Sequence, residues 1–313
     1  MLPVIDLDPL LHGDRRARQS AAAEIGAACE NTGFFYARNH GVAASTIDAA
    51  LGASRGFFDL ADACKRAWSR QPGHYRGYIA TMPFSEDQAS GQTFLYEAFV
   101  AGEETDPGDP ETAASEGLYW PNVWPSNPPG FKAAVSEYWD AVTGLSRHLL
   151  RALSLALGSA EDALLEHFNK PLSNISLLHY PARPAVLDGA RLDARAHFDT
   201  DVLTILLPAE TGGLEVLHRE GVWMEVDPLP GCFVVNIGNM LELWSGGRFR
   251  STMHRVHPPV GKERYSIAFF AHPDYATTVK PLPGLPVTGI AGKRSEIHAG
   301  KDLAAFVASF DPV

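Results

Sequence analysis

Ser176-Leu-Leu-His-Tyr180, Leu203-Thr-Ile-Leu-Leu207, Gly213-Leu-Glu-Val216, Cys232-Phe-Val-Val-Asn-Ile237 and Tyr265-Ser-Ile-Ala-Phe-Phe270 decide the fold. Each is a short run rich in β-branched, leucine or aromatic residues, and Gly, Pro and Asp turns separate them. Closely spaced strands of this kind predict a double-sheet antiparallel barrel or jelly roll. Upstream the texture is different. Pro3–Leu7 and Gly33–Ala37 read as strands, whereas Arg15–Asn31 and Ala44–Leu60 read as helices. Residues 101–130 are dense in Pro, Gly, Asp and Glu and read as largely loop. From Phe131, the residues Val135, Tyr138, Val142, Leu145, Leu149, Leu153 and Leu157 recur every three or four positions, one face of a long helix. Pro128 and Pro129 open it and Gly158 closes it. Ala299–Phe310 carries Leu303, Phe306, Val307 and Phe310 at helical spacing. The expected architecture is α+β and mainly β, a double-stranded β-helix (jelly roll) with an N-terminal helical region and flanking helices. Its stretches are 1–170, a core at 171–283 and a tail with a helix at 284–313.

The chain has 313 residues, 45% of them hydrophobic and 20% charged, enough to bury a core and outside the disordered and coiled-coil classes. One elaborated domain or two are both compatible with that length. A net charge of −11 argues against nucleic acid or an anionic membrane as the main partner. Cys29, Cys64 and Cys232 are far apart and odd in number, which reads as reduced thiols. With no apolar run near the 18 or so residues needed to span a bilayer and no leader-like start, a soluble cytoplasmic protein is expected. Oligomeric state is not legible.

The chemistry concentrates in Ala196-His197-Phe198-Asp199-Thr200. On a strand, residues two apart leave the same face, so His197 and Asp199 offer two ligands together. His254, in Ser251-Thr-Met-His-Arg-Val, lies far enough along for the chain to return as a neighbouring strand. Two His and one carboxylate with open positions are the facial arrangement of non-haem Fe(II) oxygenases. The chain has twelve histidines, so the pair alone is equally a turn Asp beside surface His. Arg264-Tyr265-Ser266 adds a guanidinium and a hydroxyl on one strand face, suited to the far carboxylate of a dicarboxylate.

With that ordered set, the sequence resembles the isopenicillin-N-synthase-like branch of the iron(II)/2-oxoglutarate-dependent dioxygenases. The resemblance runs through Pro3-Val-Ile-Asp-Leu, Gly33-Phe-Phe-Tyr-Ala-Arg-Asn-His-Gly41, Arg76-Gly-Tyr78, Tyr96-Glu-Ala-Phe99 and Trp120-Pro-Asn-Val-Trp-Pro125. It continues through the His197-x-Asp199, Asn236-Ile-Gly238, His254 and Arg264-x-Ser266 signatures. It implies His197, Asp199 and His254 as iron ligands. It also implies Arg264, Ser266 and Tyr180 as partners of the 2-oxoglutarate C5 carboxylate. Fe(II), 2-oxoglutarate and O₂ would then oxidise a C–H bond of a small-molecule substrate, with release of succinate and CO₂. Two departures stand out: Leu178 replaces an Asn common two residues before the tyrosine, and Asn239 replaces an Asp common after Asn236-Ile-Gly238. Asp201 is a rival ligand that the family register disfavours. By analogy the mouth draws on Tyr75, Arg76, Tyr78, Phe94 and Tyr96. Trp244 and Phe198 fit either core or pocket wall, and Phe270 is expected in the core. The competing readings are an oxidase of this fold that consumes no 2-oxoglutarate, a non-catalytic binding protein of the same fold, and a zinc hydrolase.

Overall fold

The computed structural model describes residues 1–80, 96–106, 108–182, 196–257, 260–287 and 294–309. In chain order the first elements are β1 (Val4–Asp6), α1 (Asp8–His12), α2 (Arg15–Asn31), β2 (Phe34–Arg38), α3 (Ala44–Phe58) and α4 (Asp62–Arg66). β3 (Gly77–Ile79), β4 (Glu97–Gly102), α5 (Pro110–Ala114) and α6 (Phe131–Ala156) follow. Next come β5 (Asn174–Tyr180), β6 (Leu203–Leu207), β7 (Leu214–Leu217), β8 (Trp223–Val226) and β9 (Cys232–Ile237). α7 (Asn239–Trp244), β10 (His254–Val256), β11 (Arg264–Ala271), β12 (Thr278–Val279), β13 (Ile297–His298) and α8 (Ala299–Ala308) complete the chain.

Among the described residues the main sheet has eight strands, in the order β1-β2-β9-β6-β11-β5-β4-β3, and a second sheet pairs β10-β7-β8. Every pairing in the main sheet is antiparallel except β1 with β2. Strands from the first 102 residues extend both edges of the sheet laid down after residue 171, so helical and barrel stretches share one framework. The jelly-roll core expected from the strand spacing is present.

Alternation divides the main sheet into two faces. The outer face presents Phe35, Phe99, Ile175, Leu177, Ile205, Phe233, Val235, Ile267 and Phe269 to the helices, and all are buried in one core. The long α6 supplies the other side, with Val135, Tyr138, Val142, Leu145, Leu149 and Leu153 buried along it and Trp139 packed 5.3 Å from Phe269. The periodicity that marked this helix is therefore its sheet-facing stripe. Asp14 caps α2 by accepting the Ala17 N–H at 2.8 Å. The inner face faces the small sheet across a second cluster that includes Phe34, Tyr36, Val234, Leu214, Val216 and Val256.

A polar knot interrupts the outer core. Lys65 Nζ donates to Glu97 at 3.0 and 2.7 Å and to the Phe58 carbonyl at 3.2 Å. The Tyr78 hydroxyl donates to the same carboxylate, and His179 Nδ1 lies 2.7 Å from its other oxygen. Burial works to raise the Glu97 carboxyl, but the bonds from His179, Lys65 and Tyr78 hold it below the usual range, so it stays ionised. Leu149 is fully buried in α6, and Leu149→Ala is expected to cost about 2–5 kcal/mol, read as a lowered midpoint in urea unfolding.

Candidate metal centre

His197 and His254 form an isolated antiparallel bridge, each backbone N–H donating to the other's carbonyl at 3.0 Å. That pairing brings the two imidazoles to a centroid separation of 4.3 Å. Asp199 leaves the same side as His197, and both Nε2 atoms stand 3.6 Å from its Oδ1. One ligand atom from each residue lies within 4.8 Å of the others. Among the described residues no other three His, Cys, Asp or Glu side chains converge this way. His254 Nδ1 sits 3.1 Å from the Thr252 carbonyl, which assigns the proton to Nδ1 and leaves Nε2 as a lone-pair donor. Burial holds the His254 imidazole below its ordinary range, so it is neutral, as a ligand must be. The donor set fits a divalent iron with open coordination positions.

Asp199 is oriented by its other oxygen. Thr204 Oγ1 donates to Oδ2 at 2.5 Å and Asn236 Nδ2 at 2.7 Å, leaving Oδ1 to face the imidazoles. Burial works to raise the Asp199 carboxyl, but His254, His197 and these two bonds hold it below the usual range. Asp201, the rival ligand, behaves oppositely. Burial and the Asp199 charge push it well above the usual carboxylate range, so it keeps its proton. Its Oδ2 lies 3.0 Å from Thr204 Oγ1 and supports the hydroxyl from behind. The loop is pinned from below: Asn239 N–H donates to the Asp199 carbonyl at 2.8 Å and Met240 N–H to that of Asp201 at 3.0 Å. These are backbone bonds, which Asn239 makes as well as an Asp would. Gly238 permits the close approach, since a Cβ there would lie 2.1 Å from Asp201 Oδ1.

A second pole lies further along the inner face. Arg264 and Tyr180 are direct cross-strand partners, and the guanidinium carbon sits 4.7 Å from the tyrosine ring centroid. Arg264 Nη1 donates to Ser266 Oγ at 2.8 Å and Nε to the Gly212 carbonyl at 3.0 Å. The arginine is 2% exposed, and among the described residues no carboxylate pairs with it. A buried cation in that state is matched to an incoming anion. Leu178 faces Ser266 across the strands, leaving that position apolar.

The other expected residues separate. Tyr96 packs 5.5 Å from Tyr180 on the inner face. Burial raises the Tyr75 hydroxyl, which bonds Ser176 and lies within the field of Asp199. Arg76 is buried with Nη1 2.5 Å from the Glu103 carbonyl, and its other terminus lies over Gly102. Tyr78 is a correction: strand alternation turns it to the outer face, where its ring packs on Phe57 and its hydroxyl meets Glu97. Phe94 lies outside the described residues, as does Phe310. Phe270 is a second correction. It shares the strand face of Arg264 and Ser266 and is half-buried, not core, because β11 presents its even-numbered residues inward. Trp244 is core, stacked on His167 at 5.1 Å, and Phe198 is exposed beside the two loop ligands.

Sequence reading missed Thr204 and Asn236 as the residues holding Asp199. The signal was there: each is the polar residue in an otherwise apolar strand, a position that demands a partner. It also missed Asn174 and His272, buried polar groups on the inner face.

Residues 2–127 match the family model described as non-haem dioxygenase in morphine synthesis N-terminal, and residues 172–273 match the 2OG-Fe(II) oxygenase superfamily. A homoarginine-6-hydroxylase of Oryza sativa subsp. japonica is 30% identical over 90% of this chain and 88% of its own length. A full-length Neurospora crassa protein, crystallised in complex with alpha-KG and thymine, superposes with a TM-score of 0.85 at 26% identity, covering 99% of this chain and 97% of that one. JOX2 in complex with 2OG, Fe and JA matches at a TM-score of 0.78 and 29% identity, over 98% and 85% of the two chains. The chain belongs to the 2OG-Fe(II) oxygenase superfamily and is an oxidoreductase that works with Fe(II), 2-oxoglutarate and O₂.

Proposed function

We propose that this protein hydroxylates a C–H bond of a small-molecule metabolite, with release of succinate and CO₂. His197, Asp199 and His254 hold the iron in this reading, and Arg264, Ser266 and Tyr180 hold the C5 carboxylate of 2-oxoglutarate. The observation that carries it is the convergence of three ligand atoms within 4.8 Å on the same inner surface as a buried, carboxylate-free arginine. When bound, the iron and 2-oxoglutarate together activate O₂ for attack on an unactivated C–H bond.

The protein's own contribution is positioning and exclusion. Asp199 presents Oδ1 because Thr204 and Asn236 occupy Oδ2, so Oδ1 is the oxygen that would hold the iron. His254 is held edge-on by Phe34 at 5.4 Å and by the Thr252 carbonyl, which fixes its ring plane. Arg264 neutralises the distal carboxylate, and Ser266 and Tyr180 set the height at which it docks. The apolar inner cluster around Phe34, Tyr36, Val216 and Val234 keeps water from the site. The small molecules named with the relatives, homoarginine, thymine and JA, support a small molecule as the substrate class.

An anaerobic titration of the Fe(II)-loaded protein with 2-oxoglutarate, then a metabolite screen for stimulated succinate release, tests the reading. Succinate accumulating in step with O₂ uptake separates it from a same-fold oxidase that spares 2-oxoglutarate. His197→Ala and Asp199→Ala are expected to abolish iron binding and turnover with folding retained by circular dichroism. Arg264→Leu is expected to weaken 2-oxoglutarate binding by about 2–5 kcal/mol, since it removes a buried charge-assisted pair, with iron affinity unchanged by chelator competition. Thr204→Val combined with Asn236→Leu is expected to lower iron affinity on the order of 10- to 100-fold in the same competition assay.

A further inference from the structure

The register of the main sheet sets Asn236, Thr204, Phe270, Asn174 and Gly102 side by side on five neighbouring strands of the inner face. The first two hold Asp199. Phe270 lies between them and Asn174, directly opposite Thr204 on one side and Asn174 on the other. Strands are spaced about 4.8 Å apart, so Asn174 stands about 10 Å from Thr204, the width of one small molecule.

Asn174 is 3% exposed, and neither its Oδ1 nor its Nδ2 has a hydrogen-bond partner among the described residues. Burying both ends of an amide unpaired is costly, and an aliphatic residue would fill the position without that cost. His272, just past the end of β11 and also buried, has only the Phe270 carbonyl beside its ring, so at least one ring nitrogen lacks a partner among the described residues. In the next row, Ala268 faces Ser176, two small side chains beside the Phe270 ring. Beyond Asn174, Gly102 has no side chain, and a Cβ there would meet Arg76 Nη2 at 2.9 Å, so the guanidinium closes that end.

We propose that Asn174, with His272 beside it, is the polar end of the substrate pocket and takes the donor–acceptor edge of a neutral amide-like group, such as a lactam, imide or carboxamide, whose carbon skeleton lies over Phe270 toward the iron. This rests on the assignment of His197, Asp199 and His254 as iron ligands and adds the substrate class. A side-chain amide offers donors on one atom and lone pairs on the other, so it pairs fully with a group that presents both. A carboxylate would leave Oδ1 facing another acceptor.

Ligand-observed NMR on the anaerobic protein loaded with Fe(II) and 2-oxoglutarate tests this with 2-piperidone and N-methyl-2-piperidone as probes. The first presents the donor–acceptor edge and the second lacks the donor. The wild type is expected to prefer 2-piperidone by about fivefold or more, the size of one net hydrogen bond. Asn174→Leu and Asn174→Ala are expected to erase the preference while 2-oxoglutarate affinity, read by calorimetry, stays at the wild-type value. Asn174→Leu should also unfold at or above the wild-type Tm, because it removes two unpaired polar atoms, whereas an amide serving only the fold would give a lower one. Equal binding of the two probes by the wild type, binding of neither, or a preference kept by both variants overturns the subsite and leaves the iron assignment standing. Failure of the wild type to bind 2-oxoglutarate overturns the iron assignment instead, and the lactam preference is read on the same sample.

Discussion

Everything at the centre depends on one carboxylate being held by only one of its oxygens. Asp199 is buried, and a buried anion survives only with bonds that offset its lost hydration. Thr204 and Asn236 supply them to Oδ2, and protonated Asp201 backs the threonine hydroxyl. The arrangement uses up one side of the charge and aims the rest at the two imidazoles. Without it, the carboxylate would be free to rotate, and Oδ1 would no longer be aimed at His197 and His254. Two carboxylates two residues apart thus play opposite parts, one charged and one neutral, because only the first faces the two imidazoles and accepts the Asn236 amide.

The fold places this device by giving one sheet two different faces. Against the helices the main sheet is a continuous apolar layer, packed on the stripe of α6. Toward the small sheet the same strands carry Asn236, Thr204, Ser266, Arg264 and Tyr180 among apolar neighbours. Because alternation is strict, a strand such as β11 contributes Phe269 to the core and Arg264, Ser266 and Phe270 to the site without conflict. A one-residue slip in register would exchange the two roles.

Much of this was legible in the sequence, for identifiable reasons. α6 announced itself because one of its faces is wet, and the five barrel strands did so because turns bracket them. The His-x-Asp spacing and the Arg-x-Ser spacing translate directly into same-face pairs, which the structure contains. β4 was not marked as a strand because it is buried on both faces, so Glu97-Ala-Phe-Val-Ala-Gly102 shows no alternation. Tyr78 was placed at the mouth by family analogy, but its partner is Glu97 on the far side of the sheet, a contact no local pattern reveals. Phe270 was assigned to the core by its hydrophobicity, although the parity it shares with Arg264 and Ser266 already directed it inward. Thr204 and Asn236 stood out as polar residues in apolar strands, but which charge they serve depends on register between strands.

The knot formed by Lys65, Glu97, Tyr78 and His179 has a bearing on the site at the opposite surface. His179 and Tyr180 are consecutive on β5 and point to opposite faces, so whatever grips the imidazole from behind also sets how far the phenol projects in front. Glu97 takes hold of three elements at once: a lysine from the flanking α4, a tyrosine from the edge strand and a histidine one peptide away from the arginine's stacking partner. The stacking of Tyr180 against Arg264 can therefore be retuned by remote leverage, through substitutions on the back of the scaffold.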